Sequence, residues 1–467
     1  MIDLEERIRR GLNAAAAPQA TPPGFDGRVT RRISVVRRRR AITRGLATVA
    51  VVVTVLGSIA ALRPDSSTPT RVIAGGQTHE PGWNPIAGAP IPPRLDPLAV
   101  GMGDRTLIWG GGGGNNAGAD RLDGAVYDAV HDSWTKVPDS PLVSSDAVGA
   151  WTGREAIVVS GIHSSQPDPS GAGAHGPSPV VAAAYDPAAN SWRRLPSPPL
   201  ANASSVLNRA VWTGRELVIA GTASQVESVP VVNQVAIYNP DTGRWRTGSV
   251  PAGPLPDPAD ALWTGTEVAV VGTVNITKAG LGTNTLLLYN PVTDRWREIP
   301  WGLEMTAPEK IANEPGSFIQ ARENLSTAWT GDRLFVGGGG QSTLRRDAAL
   351  VDLETGTWDR VPDAPIGFRG NDVGSGALWT GTSALTLAGD GGRPVGFDPA
   401  TRSWTVGPPD PIAARGVGNG AWVWIESQRA VVVWGGADLT PSDGICCTLI
   451  EDGETYTPDL MTRQVGI

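Results

Sequence analysis

The sequence predicts an all-β fold, a seven-bladed β-propeller preceded by one transmembrane helix and a short cytoplasmic tail. Two repeated tryptophan series and a turn-rich composition predict the propeller, since 59 Gly and 40 Pro accompany only 18 % charged residues. The 17 Trp outnumber the 5 Tyr and 5 Phe, so tryptophan has a recurrent role. An apolar stretch behind a run of arginines predicts the membrane helix.

The N-terminal region carries the membrane signal. Residues 1–44 form a basic tail with eleven Arg and four acidic residues, and residues 45–62 are eighteen uncharged, mostly apolar residues. That length is at the lower edge of what spans a bilayer. Because basic residues favour the cytoplasmic side, we expect a single-pass protein of the cell membrane with a cytoplasmic N-terminus and an exported C-terminal part. A cleaved signal peptide is the alternative, although its basic region would be unusually long.

The rest of the chain divides into three parts. Residues 63–70, RPDSSTPT, are a linker with nothing to bury, residues 71–460 form the propeller, and residues 461–467 are a C-terminal tail. Residues 45–467 hold 28 basic and 42 acidic residues, a net charge of −14. This acidic balance argues against a nucleic-acid surface on the large domain.

Two tryptophan series define the repeats of the large domain. In the first series, Trp precedes Thr-Gly and an aliphatic run that ends in glycine, at Trp151, Trp212, Trp263, Trp329 and Trp379. In the second series, Trp follows a turn such as YDPAANSW, at Trp134, Trp192, Trp245, Trp296, Trp358 and Trp404. The intervals in the second series are 58, 53, 51, 62 and 46 residues.

Each repeat contains two predicted hairpins. The first turns at Thr-Gly between two β-branched runs, and the second turns at Asp/Asn-Pro-x-Thr. Four strands in a repeat of this length make one propeller blade. The glycines after the second strand, the Tyr-Asp-Pro before the outer turn and the spaced tryptophans resemble those of the kelch repeat, the propeller family that includes the galactose oxidase central domain.

The last repeat is incomplete, which determines the number of blades. Six full repeats end at Trp134 to Trp404, and the stretch from Gly420 to Thr457 supplies only three strands. The missing outer strand is expected near residues 82–87, because Trp83 stands 51 residues before Trp134 in the second series. The sequence therefore predicts seven blades, with this N-terminal strand closing the ring.

The connections between strands divide into two classes. The first-to-second and third-to-fourth turns are short and repeated, and they lie on what we call the constant face. The second-to-third loops and the links between blades lie on the opposite variable face. The two Trp of one repeat lie 41, 33, 33, 29 and 25 residues apart in successive repeats, so the variable face holds nearly all the length variation. Because binding usually resides in variable loops on a rigid scaffold, this face, with loops 162–179 and 300–324, is the functional candidate.

Charged and aromatic residues of the variable face form the candidate ligand-binding set. Two interpretations of its arginines stay open, since they could tie neighbouring blades together or bind an anionic or glycan ligand. Trp301 and Glu323 lie in the 300–324 loop. The arginines expected to ring the channel mouth are Arg94, Arg322, Arg369 and Arg415.

The residues predict neither a catalytic site nor a metal or other cofactor. The resemblance to galactose oxidase implies copper bound by two His and two Tyr, with a Tyr–Cys crosslink. Four of the five Tyr, however, occupy one repeat position before Asp or Asn, and the four His lie in predicted linkers, turns or loops. The adjacent Cys446 and Cys447 could form a strained vicinal disulfide, stay as thiols or pair between molecules.

Three functions fit these observations. The favoured one is an extracytoplasmic binding or scaffold module for a protein, peptide or glycan. The second is a carbohydrate-active enzyme (a hydrolase, lyase or isomerase) in which carboxylates such as Asp146, Asp372 or Glu323 converge on the arginines at the channel mouth. The third is a transmembrane sensor whose residues 1–44 bind a cytoplasmic regulator, a layout similar to that of membrane-bound anti-sigma proteins.

Overall fold

The computed structural model describes sixteen segments of the chain, and they contain strands but no helix. None of them therefore provides a helix that could cross a membrane. The predicted tail, membrane helix and linker, residues 1–70, lie outside them, as does the C-terminal tail. The described residues are 81–112, 121–142, 147–160, 180–200, 204–224, 232–256, 259–275, 282–303, 309–310, 318–319, 322–340, 344–370, 376–389, 391–412, 420–438 and 448–458.

Seven antiparallel sheets form the seven blades, which confirms the predicted all-β propeller. We number the strands in chain order, beginning with β1 (Gly82–Pro85). Blades 1 to 3 each contain four strands, and the first named is the inner strand. They are β2 (Leu98–Met102), β3 (Arg105–Trp109), β4 (Gly124–Asp128) and β5 (Ser133–Val137); β6 (Ala147–Trp151), β7 (Ala156–Ser160), β8 (Val181–Asp186) and β9 (Ser191–Arg194); and β10 (Ser204–Trp212), β11 (Leu217–Ser224), β12 (Val232–Asn239) and β13 (Arg244–Thr247).

Blades 4 to 6 follow the same order, except that the inner strand of blade 6 is split in two. A short hairpin, β18 (Glu309–Lys310) and β19 (Phe318–Ile319), stands between blades 4 and 5 in the chain. The blade strands are β14 (Ala259–Trp263), β15 (Val268–Asn275), β16 (Gly282–Asn290) and β17 (Arg295–Ile299); β20 (Ser326–Trp329), β21 (Leu334–Gly337), β22 (Ala348–Asp352) and β23 (Thr357–Arg360); and β24 (Phe368–Arg369), β25 (Leu378–Trp379), β26 (Ala384–Gly389), β27 (Arg393–Asp398) and β28 (Ser403–Val406).

Blade 7 combines the two ends of the described chain. Its inner strands are β29 (Ala421–Ile425) and β30 (Ala430–Trp434), and its third strand is β33 (Gly453–Thr457). Its outer strand is β1, in which Trp83 lies opposite Tyr456. A small hairpin, β31 (Ala437–Asp438) and β32 (Thr448–Leu449), extends its second-to-third connection.

The constant-face turns satisfy their own hydrogen bonds. In blade 2, the amide and the hydroxyl of Thr152 both donate to the Glu155 carbonyl at 3.0 Å, and the Glu155 amide donates back to the hydroxyl at 3.0 Å. Gly153 has a φ of 93°, which a residue with a side chain rarely adopts. The Glu155 carboxylate binds Arg193 on the outer strand at 2.7 Å. The repeated Trp-Thr-Gly-Arg-Glu phrase is therefore a self-contained turn.

The outer-strand tryptophans join each blade to the one before it. Every indole N–H of this series donates to a backbone carbonyl just beyond the outer strand of the preceding blade, at 2.7–3.0 Å. The chain of seven bonds runs round the whole ring, including the closure between blades 7 and 1. The donor and acceptor pairs are Trp83 and Pro408, Trp134 and Ala87, Trp192 and Pro138, Trp245 and Pro196, Trp296 and Ser249, Trp358 and Pro300, and Trp404 and Pro362.

A carboxylate strengthens two of these junctions. Asp294, in the outer turn of blade 4, accepts from the Tyr289 hydroxyl at 2.6 Å and from the Ser249 amide at 2.8 Å. Asp132 makes the equivalent bonds with Tyr127 and Ala87. These bonds, led by the one from Tyr289, hold the pKa of Asp294 below its ordinary value.

Proline changes the residue needed at such a junction. Pro138 has no N–H to donate to the outer turn of blade 2, and that turn carries Asn190 in place of Asp. The Asn190 side chain accepts from the Tyr185 hydroxyl at 2.9 Å and donates to the Lys136 carbonyl at 3.3 Å. Burial raises the pKa of Tyr185 to about 12, so its hydroxyl remains a donor at neutral pH.

The hydrophobic core lies between blades. One cluster joins Leu107 and Val126 of blade 1 to Val158 and Ala183 of blade 2, and further clusters fill other junctions in the same way. Because each sheet is buried on both faces, the second and third strands read as continuous apolar runs rather than as alternating patterns. The ring is thus a rigid platform for the connections on the variable face.

Candidate functional site

Arg94 lies in the link that enters blade 1, and its side chain is fully buried. The guanidinium contacts the Asp123 carboxylate at 3.0 Å and donates to the Gly110 carbonyl, also at 3.0 Å. It lies 5.8 Å from the centroid of the Trp434 ring in blade 7, which adds a cation–π contact. Burial lowers the pKa of Arg94, although an arginine keeps its charge despite such a shift.

Arg322 has the same place in the link that enters blade 5. Its two terminal nitrogens bind the two Asp347 oxygens at 2.9 and 2.6 Å, a bidentate pair with the Arg322 side chain 1 % exposed. Blade 4 holds its backbone, because Asn284 accepts from the Arg322 amide at 2.8 Å and donates to its carbonyl at 2.9 Å. Thr273 also donates to that carbonyl at 3.0 Å.

Both arginines bind a carboxylate of their own blade. Asp123 and Asp347 each stand immediately before the third strand, at the variable face. The pair therefore ties the link that enters a blade to the second-to-third connection of that blade. These contacts favour the architectural interpretation of Arg94 and Arg322, because their charges are already neutralised within the fold.

Phe368, and not Arg369, occupies the corresponding position in blade 6. The Phe368 carbonyl accepts from the Gly339 amide of the preceding blade at 2.9 Å, as the Arg94 carbonyl accepts from Gly436 at 3.1 Å. The Phe368 ring is fully buried, so this blade fills the position with an apolar side chain. Arg369 is one residue later and half-buried. The repeat spacing in the sequence therefore predicted Arg369 at a position that is one residue beyond the equivalent of Arg94.

Trp301 and Glu323 lie at different places in the same link. The Trp301 ring packs edge-on against Trp358 of the outer strand of blade 5, at 4.8 Å between centroids. Its indole nitrogen is buried and has no hydrogen-bond partner among the described residues. Glu323 is half-buried beside Arg322, and its carbonyl accepts from the Gly340 amide at 2.9 Å. Trp301 thus belongs to the junction of blades 4 and 5, while Glu323 belongs to the base of the variable face.

Left-handed glycines form that base. Gly338, Gly339 and Gly340 have φ values of 61°, 84° and 115°, which lets three successive amides turn toward neighbouring connections. They donate to the carbonyls of Asp347, Phe368 and Glu323 at 2.9–3.0 Å. One glycine run therefore ties blade 5 to the links on both of its sides.

Sequence reasoning missed a carboxylate on the inner wall. Asp260, on the inner strand of blade 4, is half-buried and accepts a hydrogen bond from the Thr327 hydroxyl on the inner strand of blade 5. Gly376 of blade 6 packs against both side chains, with no room for a Cβ atom. No repeat pattern singled out Asp260, because the inner strands of the other blades carry different residues at this level.

Several predicted site residues lie outside the described residues. They are Arg415, Cys446, Cys447, Asp146, Asp372 and loop 162–179, together with most of the long link from 304 to 321. In the part of the chain that the structure describes, no group of three or more His, Cys, Asp or Glu side chains is placed to hold a metal ion.

Comparison with known proteins found structural similarity but no sequence relative. No protein-family model and no curated protein sequence matches this chain. A solved structure entitled "Structure of YjhT" is similar, with 14 % sequence identity and a TM-score of 0.45. The alignment covers 69 % of this chain and 99 % of that one.

Proposed function

We propose that this chain is a membrane-tethered, extracytoplasmic propeller of the kelch type, which acts as a binding or scaffold module for a protein, peptide or glycan through its variable face. The single observation that carries this proposal is the contrast between the two faces. The constant-face turns are short and repeated, whereas the variable face combines long, unequal connections with a rigid base.

The buried ion pairs support a role for the loops in binding. Arg94 and Arg322 are directed to Asp123 and Asp347, so they fix where the connections leave the platform. A ligand is therefore expected to contact the loops that rise from this base, of which 162–179 and 300–324 are the longest. Pre-organised attachment points lower the entropic cost of ordering such loops on binding.

The tether and the kelch assignment rest on the sequence. The apolar residues 45–62 behind eleven arginines support a single membrane span, and the glycines, Tyr-Asp-Pro turns and spaced tryptophans support the kelch type. Protease added outside intact cells should degrade residues 71–467. If that part of the chain survives while a known external protein is cleaved, the proposed topology is wrong.

Photo-crosslinking in intact cells tests the binding face. Leu122 and Val292 are both exposed aliphatic side chains, on the variable face and in a constant-face turn respectively. Each is replaced in turn by a photoreactive phenylalanine analogue in the full chain. We expect a crosslinked partner or cell-wall adduct from position 122. Position 292 lies between the two outer strands of blade 4, away from the inner strands on both faces, and should give none. Adducts from position 292 alone, or equally from both, would overturn the assignment of the binding face.

A further inference from the structure

The inner-strand tryptophans differ from those of the outer ring. They end the inner strands of five consecutive blades at the constant face and are all half-buried. In the part of the chain that the structure describes, none of their indole nitrogens has a hydrogen-bond partner, none is buried, and none of the rings stacks on another aromatic ring. These residues are Trp151, Trp212, Trp263, Trp329 and Trp379.

Packing between blades does not require tryptophan at this position. The register of the strands places Gly101 of blade 1 and Trp424 of blade 7 at this position. Trp424 is half-buried, and its indole N–H donates to the Glu426 carboxylate at 2.7 Å. The tryptophan of blades 2 to 6 packs against the same kind of inter-blade cluster, as Trp151 does between blades 1 and 2. Compared with Gly101, it adds an exposed part of a flat apolar ring, and compared with Trp424 it keeps an unused N–H donor.

The charges beside these rings are paired or mixed. Three of the five turns carry a Glu bound to an Arg of the same blade, at 2.6–3.0 Å in the pairs Glu155–Arg193, Glu216–Arg246 and Glu267–Arg297. The exposed residue after the turn glycine varies in charge, as Arg154, Arg215, Thr266, Asp332 and Thr382. Such a surface has no consistent preference for an anion or a cation, so it fits an uncharged ligand.

We infer that the five indoles form a binding arc on the constant face for a neutral polysaccharide chain. Packed sheets lie about 10 Å apart, so the arc offers an apolar ring and an N–H donor at intervals of that order. A polymer of identical sugar units presents C–H faces to the rings and hydroxyl acceptors to the N–H groups at a regular repeat. This site is separate from the variable face and does not depend on the function proposed there.

Affinity electrophoresis of the purified full chain in detergent tests the arc. Gels contain amylose, hydroxyethylcellulose, glycol chitin or dextran, and a proline decapeptide is titrated separately. We expect one of the four polysaccharides to retard the protein. The variant Trp263→Met/Trp329→Met, which keeps an apolar side chain but removes the flat ring and the N–H donor, should weaken that retardation about tenfold or more. Trp192→Phe, in the outer ring, is the matched control and should bind as the parent does.

A second measurement keeps the test independent of folding. Oxidation of exposed tryptophan by N-bromosuccinimide, followed by peptide mapping of the unsubstituted chain, should show protection of Trp263 and Trp329 when the polysaccharide is bound. Retardation by none of the four polysaccharides overturns the inference. The inference is also overturned if the double variant binds the polysaccharide as the parent does, or if binding leaves Trp263 and Trp329 open to oxidation. Binding of the proline peptide alone would overturn it as well.

Discussion

Replacing Asp123 by Asn tests whether the Arg94 pair anchors the variable face. The amide keeps the size of the carboxylate but removes its charge, and the Arg94 guanidinium stays fully buried 3.0 Å away. Removing one partner of a buried pair costs about 3–5 kcal/mol, since it leaves an uncompensated charge in the interior. The carboxylate is 19 % exposed, so the lower end of that range is expected.

The stability of the full chain can be followed by heating. With an unfolding entropy of about 2 cal/mol/K per residue over roughly 380 residues, such a loss lowers the melting temperature by about 4–6 °C. Intrinsic tryptophan fluorescence reports the transition. Arg94→Met/Asp123→Leu should recover part of the loss, because apolar replacement of both partners removes the buried charge, as Phe368 does in blade 6.

An exposed ion pair provides the control. Arg360 and Asp363 lie 3.3 Å apart with side chains 57 % and 54 % exposed. Asp363→Asn should therefore cost less than about 1 kcal/mol. If the melting temperature of Asp123→Asn equals that of the parent or that of Asp363→Asn, the Arg94 pair does not anchor the fold. Our reasoning about the base of the variable face would then be wrong.

Three further substitutions test the ring. Trp296→Phe should lower the free energy of unfolding by about 1 kcal/mol, measured by denaturation, because the Ser249 carbonyl loses its donor. Asp294→Asn should make the melting temperature less dependent on pH in the acid range. The Asp294 carboxylate has a lowered pKa, so it stabilises the fold above the ordinary carboxyl pKa, and this stabilisation is lost as pH falls from about 5 toward 2. A melting temperature that depends on pH as in the parent would contradict this. Gly376→Ala should destabilise by about 1–3 kcal/mol in the same assay, whereas Gly88→Ala, in open space, should be neutral.

The sequence predicted the ring because its signals are local and repeated. The outer tryptophans recur since each must reach the preceding blade, and that requirement appears in the chain as a spacing between Trp134 and Trp404. The Thr-Gly turns recur since a glycine with positive φ follows the inner strand in each of blades 2 to 6. Because the outer-strand tryptophan occurs once in each blade, the number of blades can be counted from the sequence.

The site was less predictable because its contacts are not repeated. Whether Arg94 is buried depends on Asp123, 29 residues later, and no pattern links the two. The offset between Phe368 and Arg369 depends on which carbonyl meets a glycine of the neighbouring blade. Asp260 contacts Thr327, 67 residues later, and this pairing follows only from the geometry of adjacent inner strands.

The closure of blade 7 has a consequence for synthesis of the chain. Asn84 and Thr455 are paired between the two outer strands of that blade but lie 371 residues apart. The chain is synthesised at about 5–20 residues per second, so the first strand is made roughly 20–70 s before the strand that pairs with it. Throughout that time Trp83 and an unpaired strand edge remain open to other chains. The strand that completes the ring is thus also the one that two unfinished molecules can exchange, which makes swapped dimers the expected product of crowded expression.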